Sequence, residues 1–248
     1  MTTRIAMWSG PRNISTAMLR SWENRPDTSV VDEPFYACYL KRSRSQHPGF
    51  DEIMASQSAC YEDVALAMSK QLCATTIQFQ KHMTHHLYHD NDLGWTKNLK
   101  HFFLIRDPVE IVRSYTAVRG TCTLEDIGVE QQLWLYQKIS DITGQDIPVI
   151  DSNDVLNDPA RLIQMLCDKL EVRFTDKMLK WPAGKRDTDG VWARYWYASV
   201  ESSTGFKVRE KSGVEPRVEY ASQESEVVRR AMPSFLKLHR LRLNPEEG

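Results

Sequence analysis

Twice in this chain a short apolar run stops at an arginine-bearing turn and passes directly into a helical pattern. The first case is Arg4–Trp8, then Ser9-Gly10-Pro11-Arg12-Asn13-Ile14, then Ser15–Glu23. The second is His101–Ile105, then Arg106-Asp107-Pro108, with a helix beginning at Val109. A short apolar run closed by Gly or Pro is the pattern of a strand buried on both faces. Buried strands of this kind belong to parallel sheets, whose crossovers are helices.

The rest of the chain keeps the alternation. Val30-Val31, Thr75–Gln80 and Pro148–Asp151 read as further strands. Glu62–Leu72, Gly128–Thr143, Ala160–Leu170 and Ser222–Lys237 read as helices. Asp158 and Pro159 have the chemistry of a helix cap and first turn, and Asn13 or Ser15 would cap the first helix. The expectation is one α/β domain over 1–248, a three-layer arrangement with a central, mostly parallel sheet and helices on both faces. Its aromatic-rich C-terminal part, about 181–248, is less regular. No internal repeat or low-complexity tract interrupts it.

Formal net charge is −1, so no global field draws the chain to nucleic acid or a membrane surface, and any anion site must be local. No window reaches the roughly 18 apolar residues of a membrane span, and the first residues lack the pattern of a secretory signal. Cys38, Cys60, Cys73, Cys122 and Cys167 are scattered without CxxC spacing. They read as reduced thiols, with a cytoplasmic default. The expected partner is a small molecule; a homo-oligomer is left open.

A loop between a buried strand and a helix offers backbone N–H groups at the positive end of the helix dipole, where oxyanions bind. In Gly10-Pro11-Arg12-Asn13-Ile14-Ser15-Thr16, Arg12 adds a full charge, and Ser15 and Thr16 add hydroxyls. The plain alternative is a turn with a surface arginine. The loop is not GxxxxGK[ST], and the missing Lys–Ser/Thr pair argues against an ATP-dependent kinase. Arg106 stands at the carboxyl end of a strand, where open α/β sheets hold ligands, and Ser114 follows eight residues later. Its plain alternative is capping with a surface ion pair.

At these residues the sequence resembles the P-loop sulfotransferase superfamily. Arg106-Asp107-Pro108 with Ser114 resembles its RDPxxxxxS motif, and Pro11–Ala17 resembles its PKSGTTW loop. Ile14 stands at the glycine position, Arg12 replaces the lysine and Ala17 the tryptophan, which suggests a divergent bacterial-type branch. Pro148–Pro159 resembles a further strand-and-helix segment of the family. The basic loop with Lys185, Arg186 and Trp192 resembles its cofactor-closing loop. The resemblance spans roughly residues 4–195. It implies a three-layer P-loop-type fold and transfer of a sulfuryl group from 3′-phosphoadenosine 5′-phosphosulfate (PAPS) to a hydroxyl or amine, without a metal. Arg12, Ser15 and Thr16 would take the phosphosulfate, and Arg106 and Ser114 the 3′-phosphate.

The resemblance leaves two general bases open. Glu33 precedes Pro34 after the second strand, where carbohydrate-type members carry a catalytic glutamate; its plain alternative is a solvated turn acid. His85 or His86 lies near the K-x-H of hormone-type members, with Lys81 as a sulfate contact. His82, His85, His86 and His89 also follow helical i, i+3, i+4, i+7 spacing, which reads as a polar helix face or a loop cluster before it reads as a metal site. Trp181, Trp192, Tyr195, Trp196, Tyr197 and Phe206 read as packing of an irregular C-terminal region or, alternatively, as stacking for the adenine or lining for the acceptor pocket; of these only Trp192 is expected near the cofactor loop. Lys207, Arg209 and Lys211 read as a solvated basic run. Two other functions compete: ATP-dependent phosphotransfer, and nucleotide binding without turnover.

Overall fold

The computed structural model of the protein describes residues 2–45, 47–207 and 222–245. Its sheet contains β1 (Thr3–Ser9), β2 (Thr28–Asp32), β3 (Ile77–Met83), β4 (Lys100–Ile105) and β5 (Val149–Asp151), in the order β2-β3-β1-β4-β5. Every strand pairing is parallel. All the carboxyl ends therefore share one edge, and the chain order reverses around β1.

Alternate residues of each strand serve opposite faces, as a pleated strand requires. Ile5, Met7, Phe79, Phe102, Leu104 and Ile150 pack with α1 (Ser15–Glu23) and α9 (Pro159–Lys169). Ala6, Trp8, Phe103, Ile105 and Val149 face the other way. There they meet α4 (Tyr61–Lys70), α5 (Pro108–Arg119), α7 (Val129–Thr143) and α12 (Ser222–His239). The three-layer α/β expectation holds. A smaller core joins α2 (Tyr36–Ser43) and α3 (Phe50–Ser56) to Trp192, Ala193 and Tyr197. The remaining short helices are α6 (Leu124–Ile127), α8 (Ser152–Asn157), α10 (Ala193–Trp196) and α11 (Ala198–Glu201).

Helix starts follow local chemistry. Asp107 accepts from Val109 N at 2.8 Å with Pro108 in the first turn, and Asp158 accepts from Arg161 N at 3.1 Å with Pro159 beside it. The expected cap on α1 is corrected. Ile14 holds that position and no side chain caps it. Asn13 Nδ2 instead donates 2.6 Å to Leu104 O and ties the β1 loop to the end of β4.

Of the two non-metal readings of the histidine spacing, the helix face is corrected. His82 lies inside β3, stacked on Trp8 at 4.5 Å, and its Nε2 meets Gln80 Oε1 at 3.0 Å. His85 and His86 occupy a 3-10 turn, and His89 packs on Trp134. No helix face unites them.

Gly10 is fixed by space rather than by backbone conformation. A Cβ there would stand 2.8 Å from Ile127 O, on the turn of α6. Gly10→Ala is therefore expected to cost about 1–3 kcal/mol by overpacking, seen as a melting temperature lower by several degrees. An unchanged melting temperature would mean that α6 yields freely.

Candidate active site

Arg12 follows β1 and Arg106 follows β4, and these two strands are neighbours. Both arginines line one cavity of about 380 Å³ at the carboxyl edge of the sheet. Arg106 Nη1 donates to Arg12 O at 2.5 Å, and its Nε donates to Glu110 Oε2 at 2.9 Å. Arg12 Nε donates to Ser114 Oγ at 3.0 Å. Burial, then the Arg106 charge, hold the Arg12 guanidinium below its ordinary value. Among the described residues Arg12 has a hydroxyl partner and no carboxylate. Two close guanidiniums with one carboxylate, Glu110, between them leave positive charge in excess, and such a site is stabilised by an anion. Pro11, Asn13, Ile14, Ser15 and Thr16 line the same end.

The opposite wing is built on β2 and β3. Their register sets Asp32 beside Lys81. The buried Lys81 ammonium donates to Asp32 Oδ1 at 2.8 Å, to Glu33 Oε1 at 2.6 Å and to Tyr197 Oη at 2.7 Å. An ammonium has three N–H donors, so Lys81 is saturated and its expected role as a sulfate contact is corrected. Burial pulls Lys81 down, but Asp32 and Glu33 outweigh this and hold it well above its ordinary value. Glu33 is pushed above the usual carboxylate range by burial; Lys81 opposes this and Asp32 adds to it. Beyond burial, two carboxylates share one cation, so Lys81 does not fully offset the shift.

Backbone strain marks the same places. Arg12 and Glu33 have φ of 56° and 42°, in the left-handed region that costs a non-glycine residue free energy.

Beyond Glu33 the wall is formed by Tyr36, Tyr39, His47, His85, His86 and Trp196. Tyr36 Oη meets His47 Nδ1 at 2.7 Å, and His86 lies between the rings of Tyr36 and Tyr39. Burial, then His47, push His85 down to about 3. A general base works best when its pKa lies near the working pH, so Glu33 is the better placed of the two candidates. Met83 stands two residues after Lys81, where the K-x-H pattern has its histidine, and it lines the cavity.

Four predicted positions lie outside the lining. Gly10 is packed beneath Ile127. Lys185 is exposed, while Arg186 pairs with Glu23 at 3.6 Å and donates to Pro182 O. Asp189 accepts from Arg20 and from Arg186 N, so this basic loop is held against α1 instead of over the cavity. Trp192 is buried behind the wall, edge-on to Tyr36, with Nε1 donating to Tyr197 Oη at 3.2 Å. Lys207 lines the cavity; Arg209 and Lys211 lie outside the described residues. Asp32 and Tyr197 escaped the sequence reading. The paired acids Asp32-Glu33 at a strand end were a usable signal for Asp32, whereas Tyr197 stood out only as one of several aromatics that could line an acceptor pocket, with no signal for its bond to Asp32.

Residues 3–240 match the sulfotransferase domain family. Among curated proteins, the chain is 35% identical over 207 residues to branched-chain-amino-acid aminotransferase-like protein 1 of Arabidopsis thaliana, and 32% identical over 211 residues to its protein 2. In both, the match covers 84% of this chain but 37% of the relative, so the chain spans well under half the length of these proteins. The fold resembles a sulfotransferase from Alicyclobacillus acidocaldarius (TM-score 0.54, 13% identity, 98% of each chain covered). It also resembles mouse sulfotransferase SULT7A1 complexed with PAP (TM-score 0.52, 10% identity, 96% of this chain and 88% of that one).

Proposed function

The chain belongs to the sulfotransferase domain family, and from that premise we propose that it transfers a sulfuryl group from PAPS to a hydroxyl or amine of a small acceptor. The observation that carries the proposal is the convergence of Arg12 and Arg106, from two strand ends, on one cavity that also holds Glu33. The PAP complex of a structural neighbour supports the choice of nucleotide. Bound there, the donor supplies an activated sulfuryl group on a 5′-phosphate.

In this reading Arg12, Ser15 and Thr16 stabilise charge gathering at the 5′ end, where preorganised donors act without reorganising. Arg106 and Ser114 hold the 3′-phosphate and so select the nucleotide. Glu33 takes the proton of the acceptor. The aromatic wall around Tyr36 and Tyr39 orients the acceptor and keeps water out.

Thermal shift tests this without knowledge of the acceptor, because a ligand specific to the native state stabilises it by about 2.7 kcal/mol at a hundredfold excess over Kd. Adenosine 3′,5′-bisphosphate is expected to raise the melting temperature more than AMP or ATP, equally with and without Mg²⁺. Stabilisation by ATP alone, and only with Mg²⁺, would replace sulfuryl transfer with phosphotransfer.

A further inference from the structure

Tyr197 joins the C-terminal segment to the buried charges beneath Glu33. It sits at the junction of α10 and α11, buried but with an edge on the cavity, beside a cluster drawn from β2 and β3. Its hydroxyl donates to Asp32 Oδ2 at 2.6 Å and accepts from Lys81 Nζ at 2.7 Å and Trp192 Nε1 at 3.2 Å. Asp32 thus has Lys81 on one oxygen and Tyr197 on the other. The groups facing Glu33 are Asp32, Lys81, Tyr36 and Tyr197, with His86 next to Lys81.

We propose that Tyr197 is a positioning residue that sets the basicity of Glu33 by dividing Lys81 between the two carboxylates. This rests on the reading of Glu33 as the base. The Tyr197 proton satisfies part of Asp32, so Asp32 does not draw Lys81 wholly to itself, and Glu33 keeps one ammonium hydrogen bond. During transfer, the acceptor oxygen forms its bond to sulfur as the bond from sulfur to the 5′-phosphate oxygen breaks. The acceptor proton goes to Glu33, and the departing phosphate keeps the bonding electron pair. Asp32, Lys81 and Glu33 then pass from a net charge of −1 to neutrality. The proton therefore goes where buried charge is in excess, and the strength of that pull depends on how Asp32 is satisfied.

Two substitutions move Glu33 in opposite directions. Tyr197→Phe removes the donor to Asp32, which draws Lys81 away, so Glu33 titrates at higher pH. Asp32→Asn removes the competing carboxylate and leaves Lys81 to Glu33, so Glu33 titrates at lower pH. Carboxyl-carbon NMR titration of the full chain saturated with adenosine 3′,5′-bisphosphate reads both directly. In PAPS turnover with water as the acceptor, the acid limb of the pH profile is expected to move to higher pH in Tyr197→Phe in step with the titration, with the KM for PAPS unchanged. Tyr61→Phe removes a hydroxyl bonded to Asp92 O near α4 and should leave the titration and turnover as they are.

Opposite shifts support the proposal; if Tyr197→Phe does not fold, 3-fluorotyrosine placed at position 197, whose more acidic hydroxyl donates more strongly to Asp32, is expected to move Glu33 to lower pH, and no movement there overturns it. A Glu33 titration unmoved in both variants, or moved in the same direction in both, overturns it even when Glu33→Gln is inactive. If the titrations move as expected while Glu33→Gln keeps full turnover, the network stands and the base is another group.

Discussion

Glu33→Gln is expected to lower turnover by roughly 10²- to 10⁴-fold, the usual contribution of a positioned general base, while the affinity for adenosine 3′,5′-bisphosphate stays as it was. The amide keeps the shape and still offers an oxygen to Lys81 at the position now 2.6 Å away. What it cannot do is take a proton. The pH profile follows from the same chemistry. Glu33 must be ionised to act, and burial raises its pKa above the usual carboxylate value. The acid limb of kcat/KM should therefore lie above that of an ordinary glutamate and vanish in the variant.

Stability supplies an independent sign. A carboxyl raised on folding binds its proton more tightly in the native state, so it removes stability as pH climbs from the unfolded to the folded value. The wild type should be the less stable of the two above that window and match the variant below it. Melting curves at pH 4 and pH 8 test this. A rate equal to that of the wild type would transfer the base to another group on the wall, with His85 the first to examine.

How much of this could be read from the residues depends on how local each cause is. The bounds of α1 were legible because Ser15–Glu23 is a compact run of helical composition following a Gly-Pro turn, and Arg106 and Ser114 because a strand end and the next helix fix their separation. The histidine run misled because its i, i+3, i+4 spacing suits a helix, while β3 is hydrogen-bonded to β1 on one side and β2 on the other. Sheet pairing there overrides the local pattern, and only the turn after Met83 is free to coil. Lys185 and Arg186 looked like a cofactor-closing loop because the carboxylates that hold Arg186, Glu23 at its guanidinium and Asp189 at its backbone N–H, lie on another element or are reached through a turn. Tyr197 was hidden most deeply. It meets Asp32 from 165 residues away, and no periodicity carries such a contact. The burial of Lys81 was equally unreadable until the β2–β3 register supplied its two carboxylates.

Arg106→Ala is expected to weaken adenosine 3′,5′-bisphosphate binding by about 10- to 100-fold, because a charge-assisted hydrogen bond contributes about 1.5–3 kcal/mol. The guanidinium has two structural ties, to Arg12 O and to Glu110, so its loss also loosens the β1 loop. AMP separates the two effects. It lacks the 3′-phosphate, so its affinity reports the loop alone, and the preference for the bisphosphate over AMP should collapse in the variant. Arg106→Lys should restore part of the affinity, since an ammonium returns the charge without the planar fork. Arg12→Ala should act the other way: both nucleotides weaken together, because both carry the 5′-phosphate. Calorimetry of the two nucleotides on the two variants makes a two-by-two test of which arginine serves which phosphate. An unchanged bisphosphate affinity in Arg106→Ala would remove the 3′-phosphate from β4, and with it the reason for reading the cavity as a PAPS site.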